Sequence, residues 1–280
     1  MNQEKTKIII SGAFGRMGKI LIKETIKNQE TSLIGAIINE NSKKAKEQQS
    51  EIKKDFLNYF FLKILKNNHE RNLLYDVLID FTTPQNTINN LKYCIKNQKN
   101  IIIGTTGFNE QQLKTIKSAA KNIAILFSPN FSIGINLLYN ITKYIASIIG
   151  KYVDIEIIEY HHRNKVDAPS GTALQIGKNI SESMGWNFNK DTIFQRYGIV
   201  GPRKKNKIGY SVVRGGDIIG EHKILFADLG EQIEIIHKAT NRSAFARGAI
   251  KAAIWIKNKK MDYLICQTYL KIFLLLKKIK

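Results

Sequence analysis

Five short apolar runs that do not alternate with polar residues, at 7–10, 33–38, 77–81, 100–103 and 123–127, constrain the fold more than any other feature of the chain. A strand with one solvated face alternates apolar and polar side chains. An unbroken apolar run suits a strand buried on both faces, as in a parallel sheet covered by helices. Helical patterns lie between several of the runs, at 16–27, 87–97 and 110–121, the last opened by Asn109 as a cap. Strand and helix in alternation predict an α/β fold with a Rossmann-like, doubly wound parallel sheet. This dinucleotide-binding domain is expected at 1–130, completed by 241–280 with a final helix at 244–257.

Past residue 130 the rhythm changes. A long helix is expected at 135–149, a strand at 154–159 and a helix at 173–184, followed by an irregular span rich in Asn, Lys and Gly. Closely spaced runs at 208–214, 221–227 and 231–237, separated by turns such as Arg214-Gly215-Gly216-Asp217, read as an antiparallel or mixed sheet. The second unit is therefore expected to be an α+β domain at 131–240 that binds substrate and forms the oligomer. Residues 40–72 read less clearly. Lys43-Lys44-Ala45-Lys46-Glu47 suits a solvated helix or loop, whereas Phe56, Phe60, Phe61, Leu62, Ile64 and Leu65 suit packed filler.

The chain of 280 residues carries a formal charge of +21, which raises a nucleic-acid reading because a basic surface attracts phosphate. The lysines are scattered through nearly every segment among Asn and Ile, and no recognised nucleic-acid motif accompanies them. A diffusely basic surface is expected, with no specific nucleic-acid partner. Cys94 and Cys266 match no metal or redox spacing, which fits a reducing compartment. Residues 1–7 are polar, the apolar run after them ends at Gly12, and the late run at 272–276 is far below a bilayer-spanning length. A cytoplasmic protein without a membrane partner is expected.

Two segments carry chemistry. Gly12-x-x-Gly15-x-x-Gly18 follows the first strand and opens the first helix, where glycines let backbone amides approach a pyrophosphate at the helix's positive end. A strand-to-helix turn that needs glycine only for sterics is the bland alternative. In the second segment His161, His162, Arg163 and Lys165 leave a strand, and Ser170-Gly171-Thr172 opens a helix beyond Pro169. Free amides at a helix start attract carboxylates, and imidazole and ammonium are proton donors. A small, doubly anionic ligand is expected there. A metal is not, since successive side chains of an extended backbone point to opposite sides and no third ligand is suggested near His161 and His162. His222 and His237 lie in strand patterns and read as satisfied structural histidines; His69 is given no role.

His161-His162-Arg163-x-Lys165-Val166-Asp167-Ala168-Pro169-Ser170-Gly171-Thr172-Ala173 closely resembles the signature loop of the 4-hydroxy-tetrahydrodipicolinate reductase family, also called dihydrodipicolinate reductases, of diaminopimelate and lysine biosynthesis. Gly12-Ala13-Phe14-Gly15-Arg16-Met17-Gly18, Asp80-Phe81-Thr82, Gly104-Thr105-Thr106-Gly107-Phe108, Asn130-Phe131-Ser132-x-Gly134, Arg214-x-Gly216-Asp217 and Gly220-Glu221-His222 stand in the family's order. The resemblance runs from about residue 7 to about residue 256. It implies an NADH- or NADPH-dependent reduction of the dehydrated cyclic intermediate to tetrahydrodipicolinate, by a homotetramer built through the second domain's sheet.

Residue by residue, the resemblance implies His161 as the acid/base residue, Lys165 as proton donor, and His162, Gly171 and Thr172 as ligands of the substrate carboxylates. It also implies that Gly12, Ala13, Phe14, Gly15, Arg16 and Met17 hold the cofactor, with Asn39 or Glu40 at the adenine ribose. Gly104, Thr105, Thr106, Ser128, Pro129, Asn130 and Phe131 then flank the nicotinamide. Glu40 near the ribose, and Thr83 where relatives carry a basic residue, lead us to expect NADH over NADPH, although Lys43 and Lys44 are near enough in sequence to offset the repulsion. Two other classes compete with this reading. A redox sensor that kept the fold and lost catalysis is opposed by the retention of His161 and Lys165, and an RNA-binding protein predicts tight, salt-sensitive polynucleotide binding.

Overall fold

The computed structural model describes residues 4–38, 63–65 and 74–266. In chain order its elements are β1 (Thr6–Ser11), α1 (Arg16–Lys27), β2 (Thr31–Ile37), β3 (Lys63–Leu65), β4 (Val77–Asp80), α2 (Pro84–Lys96), β5 (Asn100–Ile103), α3 (Glu110–Ala119), β6 (Ala124–Phe127), α4 (Ile133–Ile149), β7 (Asp154–His161), α5 (Gly171–Met184), β8 (Thr192–Ile193), β9 (Ile208–Arg214), β10 (Gly220–Asp228), β11 (Glu231–Ala239), α6 (Ser243–Ile256) and β12 (Asp262–Leu264). They divide into two units, Met1–Ser132 with Ser243–Lys280, and Ile133–Arg242.

The first unit holds a sheet in the order β12-β6-β5-β4-β1-β2-β3, every pair parallel. β1, β2, β4, β5 and β6 lack alternation because each feeds two cores. Ile8, Ile10, Ile79 and Leu126 pack with Leu21 of α1 and Ile250 of α6. Ile9, Leu78, Ile101 and Ile125 pack on the other side with Leu91 of α2 and Ile116 of α3. Burying such side chains stabilises the fold by about 1.5–3 kcal/mol each before conformational entropy is subtracted.

Some boundaries differ from expectation. α2 begins at Pro84 rather than at 87, because the Thr83 side chain accepts the Asn86 amide and proline at the first position has no N–H to leave unpaired. The short edge strands β3 and β12 were not anticipated. β3 falls within the stretch read as packed filler; the rest of that stretch, with His69, lies outside the described residues. Three residues carry no usable periodicity, so pairing with β2 and β6 defines these strands.

In the second unit the sheet runs β11-β10-β7-β9-β8 and is mixed: β7 pairs antiparallel with β10 and parallel with β9. One face packs on α4 and α5, with Ile155, Ile157, Tyr210, Ile224 and Phe226 against Leu138 and Ile176. The other face carries Val213 and Ile236, both exposed. No described helix is long and apolar enough to cross a membrane.

Candidate active site

The turn between β1 and α1 shows why its glycines are spaced as they are. Gly12 adopts φ +86°, donates its N–H to the Ile37 carbonyl at 3.0 Å, and accepts from the Gly15 amide at 2.9 Å. A Cβ on Gly12 would stand 2.5 Å from the Phe81 carbonyl oxygen, and one on Gly18 would run into the carbonyl of Gly12. The first glycine permits a left-handed turn, and the third lets the helix sit directly on that turn. Gly15 caps α1 without a side-chain hydrogen bond, and the first turn carries no acid. No side chain therefore competes for the helix-start amides, and Gly12, Ala13, Phe14, Gly15, Arg16 and Met17 fit the pyrophosphate of a dinucleotide.

Strand order gathers the remaining residues of the cofactor end. β6, β5, β4 and β1 are neighbours, so the turn at 12–17 and the loops at 104–106 and 128–131 lie on one carboxyl edge. The order reverses between β4 and β1, the place where ligands of open α/β sheets bind. Beneath these loops lies Asp80, fully buried at the end of β4. Its carboxylate accepts from Thr82 Oγ1 at 2.6 Å, Thr105 Oγ1 at 3.2 Å and Asn90 Nδ2 at 3.0 Å, and Asn90 also reaches Ser11 Oγ at 2.9 Å. Burial pushes the Asp80 carboxyl above the usual carboxylate range, and these hydrogen bonds pull against it. The Phe81 ring fills the space that a side chain at Gly104 would take, and packs on Phe131 with centroids 5.7 Å apart. Ser128 Oγ donates to the Asn130 carbonyl at 2.7 Å, fixing the turn that contains Pro129, and Thr106 is exposed. Asn39 and Glu40, expected at the adenine ribose, lie outside the described residues, as do Lys43 and Lys44.

In the second unit, register explains how the substrate residues converge. On the helix-covered face Ile155 aligns with Ile208 and Phe226, and Ile157 with Tyr210 and Ile224. The next row holds Glu159, Val212, His222 and His237, and the row beyond it His161 and Arg214. The face turns from apolar to polar where α5 begins.

Glu159 is the hub of this region and is fully buried. Its Oε1 accepts from the Ser170 amide at 2.9 Å and from Arg214 Nη2 at 2.8 Å. Its Oε2 lies 3.4 Å from His161 Nδ1 and 3.7 Å from His222 Nε2. Burial favours the neutral acid, but the hydrogen bonds from Ser170 and Arg214 outweigh it and hold the carboxyl below its ordinary range. Burial lowers the His161 pKa, Lys165 and Arg214 lower it further, and Glu159 opposes them. His222 is pushed down to about 3, chiefly by burial and next by His161.

The loop after β7 is pinned on both sides. The Gly215 amide donates to the His161 carbonyl at 2.9 Å, and the Arg163 amide to the Gly216 carbonyl at 3.1 Å. Arg214 Nη2 also donates to the Asp167 carbonyl at 2.6 Å. Lys165 Nζ donates to Asp167 Oδ1 at 2.7 Å, and its amide donates to the carbonyl of half-buried His162 at 3.1 Å. At the start of α5, Ser170 Oγ takes up the Ala173 amide. A Cβ on Gly171 would meet nothing within 4 Å, so the helix start has open space at Gly171.

The structure corrects two expectations here. His222 is no isolated structural histidine, since it stands beside Glu159, His161 and Ser170 Oγ, the last 3.3 Å from its Nε2. A third ligand does exist near His161: one donor atom each from Glu159, His161 and His222 lie within 4.8 Å of one another. The same carboxylate already holds the Arg214 guanidinium, however, so a further cation would meet positive charge, and the cluster suits a proton better than a metal. From the sequence, Glu159 was a candidate to orient His161, and Arg214 stood only within the motif Arg214-x-Gly216-Asp217; neither was placed among the site residues.

Comparison with known proteins agrees with this geometry. Residues 6–131 match the family model described as "Dihydrodipicolinate reductase, N-terminus" and residues 134–270 the one described as "Dihydrodipicolinate reductase, C-terminus". The 4-hydroxy-tetrahydrodipicolinate reductase of Buchnera aphidicola subsp. Cinara cedri is 56% identical over 258 residues, covering 92% of this chain and 94% of that protein. That of Buchnera aphidicola subsp. Acyrthosiphon pisum (strain Tuc7) is 48% identical over 260 residues, covering 91% and 94%. A dipicolinate-bound dihydrodipicolinate reductase from Paenisporosarcina sp. TG-14 shares the fold with a TM-score of 0.69 at 24% identity, over 93% of this chain and 97% of that one. Two family models that between them span nearly all of the described residues, and relatives this similar over nearly their whole length, make the chain a member of the 4-hydroxy-tetrahydrodipicolinate (dihydrodipicolinate) reductase family.

Proposed function

We infer that the chain carries out the reaction of its family, the reduction of 4-hydroxy-tetrahydrodipicolinate, by way of its dehydrated form, to tetrahydrodipicolinate in diaminopimelate and lysine biosynthesis. The observation that carries this reading is the pair of buried side chains Glu159 and His161, held by half-buried Arg214 beside the start of α5, with Lys165 on the adjoining loop. A nicotinamide dinucleotide, when bound, supplies the hydride. Gly12, Ala13, Phe14, Gly15, Arg16 and Met17 hold its pyrophosphate; Gly104, Thr105, Thr106, Ser128, Pro129, Asn130 and Phe131 border the nicotinamide. His162, Gly171 and Thr172 bind the two carboxylates of a small dicarboxylate substrate. Lys165 exchanges Asp167 for the substrate and delivers the proton that quenches electron density on the reduced ring, with His161 as its acid/base partner. Cationic groups already in place near developing negative charge contribute strongly to lowering such a barrier.

Turnover of freshly generated substrate with NADH and NADPH tests the reading. Oxidation of both is expected, with kcat/KM higher for NADH, because Glu40 repels a 2′-phosphate and Thr83, engaged as the cap of α2, brings no counter-charge. Pyridine-2,6-dicarboxylate should compete with substrate, and its monocarboxylate analogue should bind distinctly worse. No oxidation of either cofactor refutes the reaction, and equal inhibition by the two analogues refutes the paired-carboxylate site.

The buried, unpaired Cys94 and Cys266 fit the cytoplasmic location expected. The homotetramer is assigned to the open face of the second sheet, on which Val213 and Ile236 are 39% and 46% exposed. Light scattering should give four copies, and Val213→Lys with Ile236→Lys should yield a smaller species. A monomeric mass for the wild-type chain would exclude this assembly.

A further inference from the structure

We propose that Glu159 is a positioning residue of this site: its buried carboxylate fixes His161 as the tautomer protonated on Nδ1, so that Nε2 is the nitrogen that exchanges protons with substrate. The proposal rests on the reductase reading above and gives a task to Glu159, a residue to which that reading assigns no step.

The pairing of donors with acceptors leads to it. Oε1 of Glu159 is taken by the Ser170 amide and Arg214, while Oε2 and His161 Nδ1 are both buried, both without another partner, and 3.4 Å apart. Unpaired buried polar atoms are costly, and these two answer one another if the proton is on Nδ1. His222 is the more distant neighbour of Oε2, at 3.7 Å against 3.4 Å for His161, and its Nε2 also has Ser170 Oγ in reach at 3.3 Å. On the far side of the ring β10 comes close to Nε2 at a glycine, since a Cβ on Gly220 would stand 3.0 Å from it. Second-sphere carboxylates choose histidine tautomers in this way in many active sites.

The groups facing His161 are Glu159 on its own strand, Arg214 on β9, His222 on β10, the Ser170 hydroxyl at the start of α5, and Lys165 and Asp167 on the following loop. Among these, Glu159 and Asp167 raise the basicity of the imidazole, and Lys165 and Arg214 lower it. Neutralising Glu159 therefore moves the titration of His161 to lower pH. Glu159→Gln does more. Its carbonyl keeps the Ser170 and Arg214 bonds, and its NH2 then faces Nδ1 and demands the opposite tautomer.

Long-range nitrogen–proton NMR of the imidazoles in the full chain reads the tautomer without turnover, so its outcome is independent of the activity assay. Wild type is expected to carry the proton on Nδ1 of His161, and E159Q on Nε2. In E159Q kcat should fall by ~10²-fold or more, the pH limit assigned to His161 should move down, and substrate KM should change little. A wild-type His161 protonated on Nε2 overturns the proposal. So does a folded E159Q with unchanged tautomer and pH profile. Should E159Q fail to fold, E159D keeps the charge and draws it back by one methylene; a weaker tautomer bias and an intermediate kcat are expected, and wild-type values on both counts would overturn it.

Discussion

Replacing Lys165 with Met, or His161 with Gln, is expected to lower kcat by ~10²-fold or more, the scale of losing a positioned acid or base. Such a loss is about 2.7 kcal/mol of transition-state stabilisation. It should not be a folding effect in disguise. The Lys165 ammonium pairs with Asp167 near the surface, and exposed pairs of this kind contribute about 0–1 kcal/mol to stability. Affinity for NADH should survive both changes, because the residues proposed to hold the cofactor belong to the first unit and these two to the second. Steady-state kinetics beside a direct titration of NADH separates the two quantities, and near-normal turnover in either variant would show that residue's role to be wrongly assigned.

The second large effect is on the first unit. Asp80→Ala should lower its stability by about 2–4 kcal/mol and raise the Michaelis constant for the cofactor. The substitution removes the acceptor from buried Thr105 and Asn90 and from half-buried Thr82, whose hydroxyl also has the Thr83 carbonyl in reach, at about 1–3 kcal/mol for each that finds no substitute, offset in part because a carboxylate need no longer be buried. The loops at 82 and 105 lie on the carboxyl edge of the sheet, so disorder there reaches the residues proposed to border the nicotinamide. Because the folded-state pKa of Asp80 is raised, its titration contributes stability that is fully present below the unfolded-state pKa and is lost as pH rises through the folded value. Calorimetry of both proteins across that range should show the difference narrowing toward neutral pH. A variant with wild-type melting and cofactor affinity would mean that Asp80 holds nothing in place.

Much of this arrangement was legible in the chain. Ile8, Ile9 and Ile10 lack alternation because they serve two cores, and that local fact already implies helices on both faces. Gly12 and Gly18 announced a tight turn beneath a helix, and Ser170-Gly171-Thr172 a helix start beside a basic loop. These signals are local: each is a conformational or burial demand met within a few residues of where it is written.

Tertiary structure decided the rest. β3 and β12 are too short for periodicity and exist because an open sheet edge pairs with them. The parallel pairing of β7 with β9, in a unit whose short turns suggested hairpins, brings Arg214 beside His161. Neither Glu159 nor His222 shows its neighbour in the sequence. Antiparallel register across a long stretch of chain places them side by side under α5. Sequence periodicity determines which face of a strand is buried, but not which distant strand lies next to it. A cluster assembled from three strands, a loop and a helix start was therefore fixed by long-range register, whereas its loop and helix start could be read from the chain alone.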